Sequence, residues 1–250
     1  MRVFTKAFWL QLSSPKTFYP LAGKLAPWFA GITAVLMVVG LYYSFFVAPV
    51  ADFKQGASYR IIYIHVPASW MSMFLYVVMC GYAAIGLIWN TRLSNMMASA
   101  IAPTGAMFTF LALWTGSLWG KPTWGTYWVW DARLTSELIL LFLYFGYMAL
   151  QSAIDDPQRA ARASALLALV GVINVPIIYK SVEWWNTLHQ PPSLETGKAA
   201  MEPTMLTALL IMVIAFWMYS IMVVLLRVRS IILGRERHSE WVSELVGNAK

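Results

Sequence analysis

The sequence predicts an all-α integral membrane protein, a bundle of six transmembrane helices whose polar loops collect their chemistry on one face. Three observations predict it. Apolar residues make up 60% of the 250-residue chain and charged residues only 12%, about half the charge of an ordinary soluble domain. The charges fall between apolar runs, and each run can supply the roughly 17 to 25 residues that a spanning helix needs. Lys and Arg are also divided unevenly among the connections.

The first span is placed at 26–48, inside an uncharged stretch bounded by Lys24 and Asp52. The second and third, 62–89 and 96–118, fill the uncharged stretches 61–91 and 93–120. A fourth, 134–154, is interrupted only by Glu137 near its start, and the fifth and sixth, 163–179 and 204–226, are again free of charge. Residues 227–250 form a tail whose mixed Arg and Glu predict a solvated, surface-lying helix. With no internal repeat or low-complexity linker, the chain reads as a single membrane domain. Nothing before Lys24 resembles a removable signal peptide, so the first span is expected to remain as an anchor. Phe4, Phe8, Trp9 and Leu10 read either as a weakly amphipathic start on the inner surface or as an irregular terminus.

Orientation follows from the cations. The N-terminal segment, the second and fourth loops and the tail hold 12 of the 18 Lys and Arg residues. That bias places both termini in the cytoplasm. The net charge of +7 is then mostly topology, so membrane lipid is the expected partner and nucleic acid is not. Cys80, the single cysteine, falls in mid-span and has no partner for a disulfide or a metal cluster.

The topology sorts three segments to the outer face: YRIIYIHVPAS (59–69), WGKPTWGTYWVWD (119–131) and SVEWWNTLHQPP (181–192). His65 lies five residues beyond Arg60, about 7.5 Å deeper on a helix, and Pro67 suits the first turn of a helix, with His65 just ahead of it. His189 reaches the corresponding edge from another loop, close behind Trp184 and Trp185. The third histidine, His238, belongs to the tail. An interfacial histidine taken alone is more often a hydrogen-bonding residue than a ligand. Two of them beside this aromatic surface point to a shared ligand.

Tryptophan and tyrosine form belts at membrane interfaces, which accounts for Trp28, Trp89, Trp114 and Trp217. Trp119, Trp124, Trp128 and Trp130 in one loop exceed a belt. Gly120, Pro122 and Gly125 favour turns there, and Trp124, Tyr127 and Trp128 are expected to form an apolar shelf for a planar ligand. A ligand that is flat, apolar and metal-bearing and takes two imidazoles is haem. Zinc ordinarily takes three or four protein ligands, and no cysteine is near. The haem propionates would seek Arg60, Lys121, Arg133 or Lys180, with Arg the better bidentate partner. Asp131, Arg133 and Glu137 have two readings: a helix entrance, with Asp131 as N-cap and Arg133 and Glu137 as an i, i+4 pair, or a functional group, since a carboxylate within a span is costly.

WGKPTWGTYWVWD, with RIIYIHVP and SVEWWNTLHQ on either side, resembles the tryptophan-rich WWD signature of haem-handling membrane proteins, and specifically the haem exporter protein C (CcmC) family of the system I cytochrome c maturation pathway. The resemblance covers nearly the whole chain. It implies six spans in the bacterial inner membrane, with His65 and His189 as axial ligands of a transiently bound haem b. Trp119, Trp124, Trp128, Trp130 and Asp131 match the signature, and Tyr127, Arg60 and Arg133 belong to the candidate haem surface. It also implies delivery of haem to a membrane-anchored periplasmic chaperone (CcmE), which an ABC-type complex of CcmA, CcmB and CcmD then frees. The chain has neither a Walker-type glycine loop nor a CxxCH motif, so it reads as a transfer subunit that neither hydrolyses ATP nor is a c-type cytochrome. The competing readings are a b-type haem electron carrier, which would place histidines at depth in several spans, and a transporter conducting haem through the bundle, which would line a path with polar residues.

Overall fold

Helix α1 (Pro15–Tyr42) begins where Pro15, lacking an N–H, occupies the first turn, well before the expected start of the first span. It ends in a π-helical turn (Tyr43–Val47), in which the buried Ser44 hydroxyl donates to the Gly40 carbonyl at 2.7 Å. The computed structural model describes residues 14–50, 55–189, 194–195, 198–199 and 201–247. The aromatic start at Phe4, Phe8, Trp9 and Leu10 lies outside the described residues.

A 3-10 turn (Gly56–Ile61) runs directly into α2 (Ile62–Trp89), which Asn90 terminates with a left-handed backbone at φ 52°. Helix α3 (Arg92–Trp124) is followed by α4 (Ala132–Ala153), α5 (Pro157–Gly171), α6 (Asn174–Trp184), α7 (Pro203–Arg235) and the short α8 (Glu240–Gly247). Two-residue strands β1 (Leu194–Glu195) and β2 (Lys198–Ala199) pair antiparallel in the connection between α6 and α7. Among the described residues, six helical segments are long and apolar enough to cross a membrane, with α5 and α6 together making the fifth. The protein is an all-α, multi-pass membrane protein.

The sequence led us to expect an unbroken fifth helix, and the structure divides it. Pro176, in the first turn of α6, has no N–H for the Val172 carbonyl and crowds it. The amide of Val175 takes that carbonyl instead, at 3.0 Å. The amide nitrogen of the Asn174 side chain then donates to the Ser136 carbonyl of α4 at 2.8 Å, which pins the break to a neighbour.

Helices α2, α3, α4 and α7 enclose the core, where Tyr63, Tyr76, Met79, Phe108, Leu140, Tyr144 and Tyr147 are each fully buried. At one end of the bundle α1, α7 and α8 meet. The Arg229 guanidinium of α7 lies 4.5 Å over the Tyr19 ring of α1 and donates to its hydroxyl at 3.1 Å. Trp241 of α8 packs on the same ring at 5.9 Å, and Val242 beside it is buried, so the tail helix is docked and not wholly solvated. The histidines His65 and His189 lie at the opposite end, where α2, α3, α4 and α6 converge.

Candidate functional site

A cleft opens among these four helices, lined by His65, Ser69 and Met73 of α2, Ala112, Gly116 and Trp124 of α3, Arg133 and Glu137 of α4, Ile178 of α6, and His189. Two histidines 124 positions apart in the chain therefore share one wall system. His65 is not ahead of a helix as the sequence suggested. Because the 3-10 turn merges into α2, His65 and Pro67 both stand inside the helix.

Each imidazole is fixed through Nδ1. The Thr115 hydroxyl donates to the Leu111 carbonyl at 2.6 Å, so its oxygen is left to accept, and His65 Nδ1 lies 3.0 Å from it. That assigns the proton to Nδ1 and the lone pair to Nε2. Gly116 makes room for the ring, since a Cβ there would stand 2.9 Å from His65 Cε1. Trp119 closes the other side, edge-on to His65 at 5.6 Å and to Tyr59 at 5.8 Å. Its Nε1–H donates to Gln55 Oε1 at 2.6 Å, tying α3 to the turn before α2.

His189 is held by a carboxylate. Its Nδ1 lies 3.1 Å from Asp131 Oδ2, and a carboxylate only accepts, so Nε2 again keeps its lone pair. Thr187 donates to the same Oδ2 at 2.6 Å and accepts the His189 backbone N–H at 3.0 Å. The second oxygen, Asp131 Oδ1, accepts the Leu134 N–H at 2.8 Å and so caps α4. Burial raises the Asp131 pKa, but the hydrogen bonds from His189, Thr187 and Leu134 outweigh it and bring the carboxyl down to about 2. Trp124 packs edge-on against His189 at 4.9 Å.

The tryptophan segment differs from the expected turn-rich shelf. Helix α3 continues through Gly120 and Pro122 to Trp124, and only Gly125, at φ 79°, stops it. Pro122 sits in the last turn, where it forfeits a single backbone bond, the one to the Leu118 carbonyl, and the Thr123 hydroxyl donates to the neighbouring Trp119 carbonyl at 2.8 Å. The ring system splits accordingly. Trp119 belongs to His65 and Trp124 to His189, while Trp128 and Trp130 pair with each other at 5.3 Å. Trp130 is 77% exposed and Tyr127 54% exposed, the latter under the Lys121 ammonium at 5.3 Å.

The cations also separate. Lys180 is paired with Glu183 at 2.8 Å, and Lys121 donates to the Gly125 carbonyl at 3.1 Å. Among the described residues, Arg133 lines the cleft without an ion pair within 4 Å, and Arg60 Nε is buried with no partner. The expected Arg133 to Glu137 pair does not form. Glu137, only 7% exposed, instead accepts a hydrogen bond from Ser72 at 2.7 Å.

The sequence profile of the haem exporter protein C family matches residues 8–243. The chain belongs to that family. Haem exporter protein C of Escherichia coli K12 is 50% identical over 94% of this chain and 95% of its own length. The family member from Bradyrhizobium diazoefficiens is 51% identical over 92% of this chain and 87% of its own, and that from Haemophilus influenzae 44% over 97% and 99%. The match takes in every helix described above except the last residues of α8.

Three partners of the histidines, Thr115, Gly116 and Thr187, did not stand out in the sequence. Thr115 and Gly116 looked like ordinary small residues of a packed helix, and nothing in their spacing points to His65. Thr187 had a signal, a hydroxyl two residues before His189.

Proposed function

We propose that this member of the haem exporter protein C family binds haem b at the outer end of the bundle between His65 and His189 and presents it to a periplasmic haem chaperone for cytochrome c biogenesis. A single observation carries the reading: both imidazoles line one cleft, and each has Nδ1 committed to an acceptor, which leaves Nε2 as the ligating atom. Histidines that bind metal are commonly oriented in this way by an acceptor on the far nitrogen. Bound haem would supply an iron that takes imidazole ligands and a planar apolar ring. The chain supplies the ligands, the aromatic edges of Trp119 and Trp124, and Arg133 as a donor for a propionate, with Arg60 as a second.

The exposed Trp128, Trp130 and Tyr127 suit the rim on which a chaperone of the CcmE type would approach, and CcmA, CcmB and CcmD are the partners expected of the same system. The bacterial inner membrane, with both termini cytoplasmic, fits the cation bias. The transporter reading has less support, because the interior beyond the cleft is filled by Tyr76, Met79, Leu140, Tyr144 and Tyr147, each inaccessible to solvent. A two-haem electron carrier would need another histidine pair, and His238 lies in the segment between α7 and α8, beside Arg237 at 3.0 Å.

The test is loading of the chaperone in cells. His65→Ala and His189→Ala are each expected to abolish covalent haem on the chaperone while the protein still accumulates in the membrane. Normal loading with either variant would overturn the proposal.

A further inference from the structure

Glu137 is the buried group that the haem proposal leaves unused. It lies one helical turn below Arg133 on α4, on the floor of the cleft. Its anchor is built from two other positions: the Ser72 hydroxyl donates to Oε1 at 2.7 Å, and the Ser72 carbonyl accepts the Tyr144 hydroxyl at 2.8 Å. Ser72 is two turns below His65 on α2, about 10 Å along the axis, and Ser69 lies between them with its hydroxyl on the His65 carbonyl at 3.0 Å. One helix face thus descends from the histidine to the carboxylate.

A carboxylate in this position needs a reason, since an ionisable group within a span is expensive to keep. The helix-entrance explanation fails, because the i, i+4 pair with Arg133 is not made and Asp131 alone provides the cap. The remaining feature of Glu137 is that it faces the same cleft as both histidines. In a site shielded from water, an ionised carboxylate acts over several ångströms, and it stabilises the more positive of two states of a bound ion.

We infer that Glu137 is a charge-setting residue of the haem cleft, a carboxylate held by Ser72 that biases bound iron towards the ferric state. The inference rests on the haem proposal and goes beyond it. A ferric bias suits a carrier, because ferric iron bound by two histidines does not take up dioxygen while it waits for transfer.

The experiment is a potentiometric titration of the full-length protein purified with haem in detergent, followed by its absorption bands, for wild type, Glu137→Gln and Glu137→Asp. Glutamine keeps the size and can still accept from Ser72, so it removes the charge alone. Glu137→Gln is expected to retain the two-histidine spectrum and to lose at least tenfold of the ferric preference, an upward shift of about 59 mV for a one-electron couple. Glu137→Asp, which keeps the charge, should stay near wild type. Coincident potentials for wild type and Glu137→Gln would overturn the inference while leaving the haem proposal intact, and so would equal shifts in both variants. A wild type without a two-histidine spectrum would overturn the haem proposal itself, and this inference with it.

Discussion

Asp131 performs two tasks that can be separated by one atom. Its Oδ1 caps α4 through the Leu134 N–H, and its Oδ2 holds His189 Nδ1 and the Thr187 hydroxyl. Asn caps a helix about as well as Asp, so Asp131→Asn should preserve the start of α4. It removes the acceptor charge behind His189 and lets an amide N–H face Nδ1, which favours the wrong tautomer. Losing such an outer partner commonly lowers metal affinity by about 10- to 100-fold, or roughly 1.4 to 2.8 kcal/mol. Asp131→Ala should lose the same amount and, in addition, about 1 kcal/mol of fold stability from the missing cap. Haem titration of the purified variants, read at the main absorption band, gives the affinity, and thermal unfolding gives the stability. The reasoning is refuted if Asp131→Asn binds haem within threefold of wild type, or if Asn and Ala lower stability equally.

Further outcomes follow from the same contacts. The Asp131 carboxyl is depressed from 3.8 to about 2, so its contribution is present above the unfolded value and disappears as the pH falls from near 4 towards 2. The size is about 2 kcal/mol, and acid unfolding of wild type against Asp131→Asn should show that difference vanish across the window. Thr115→Val removes the acceptor of His65 Nδ1 and should weaken haem binding by about tenfold with little change in expression. Gly116→Ala places a methyl group 2.9 Å from His65 Cε1 and should disturb the haem spectrum, whereas Gly81→Ala, which meets nothing within 4 Å, should not. For topology, single cysteines at Trp130 and Glu244 in a Cys80→Ser background should react with an impermeant reagent from opposite sides of the membrane.

What the sequence revealed and what it concealed divide along physical lines. Spanning helices must be apolar over their whole length, so the six runs stand out in composition alone. Asp131 as an N-cap was also legible, because the residue type and its place before an apolar run carry the signal. Helix continuity was not. Gly120 and Pro122 read as a turn, yet Pro122 falls in the last turn of α3, where it forfeits only one backbone bond and lets the helix run on to Trp124. Pro176 gave no warning in an uncharged run, yet there the helix breaks, because its missing N–H falls where Asn174 can bond across to α4.

In the site itself, the two histidines were legible because only three exist in the chain and two fall beside its tryptophan-rich segments, at the ends of apolar runs. Their supports were not, because Thr115 and Gly116 reach His65 across fifty residues of sequence through the packing of α2 on α3. The Arg133 to Glu137 spacing invited an ion pair, and the nearer hydroxyl of Ser72 prevailed.

The most direct test of the account is the absorption and electron paramagnetic resonance spectrum of the full-length protein purified in detergent from cells that make the haem chaperone, alongside His65→Ala and His189→Ala. The account predicts low-spin haem with two histidine ligands in wild type, lost or converted to a high-spin or weakly bound form in each variant. An unchanged low-spin spectrum in either variant would contradict it.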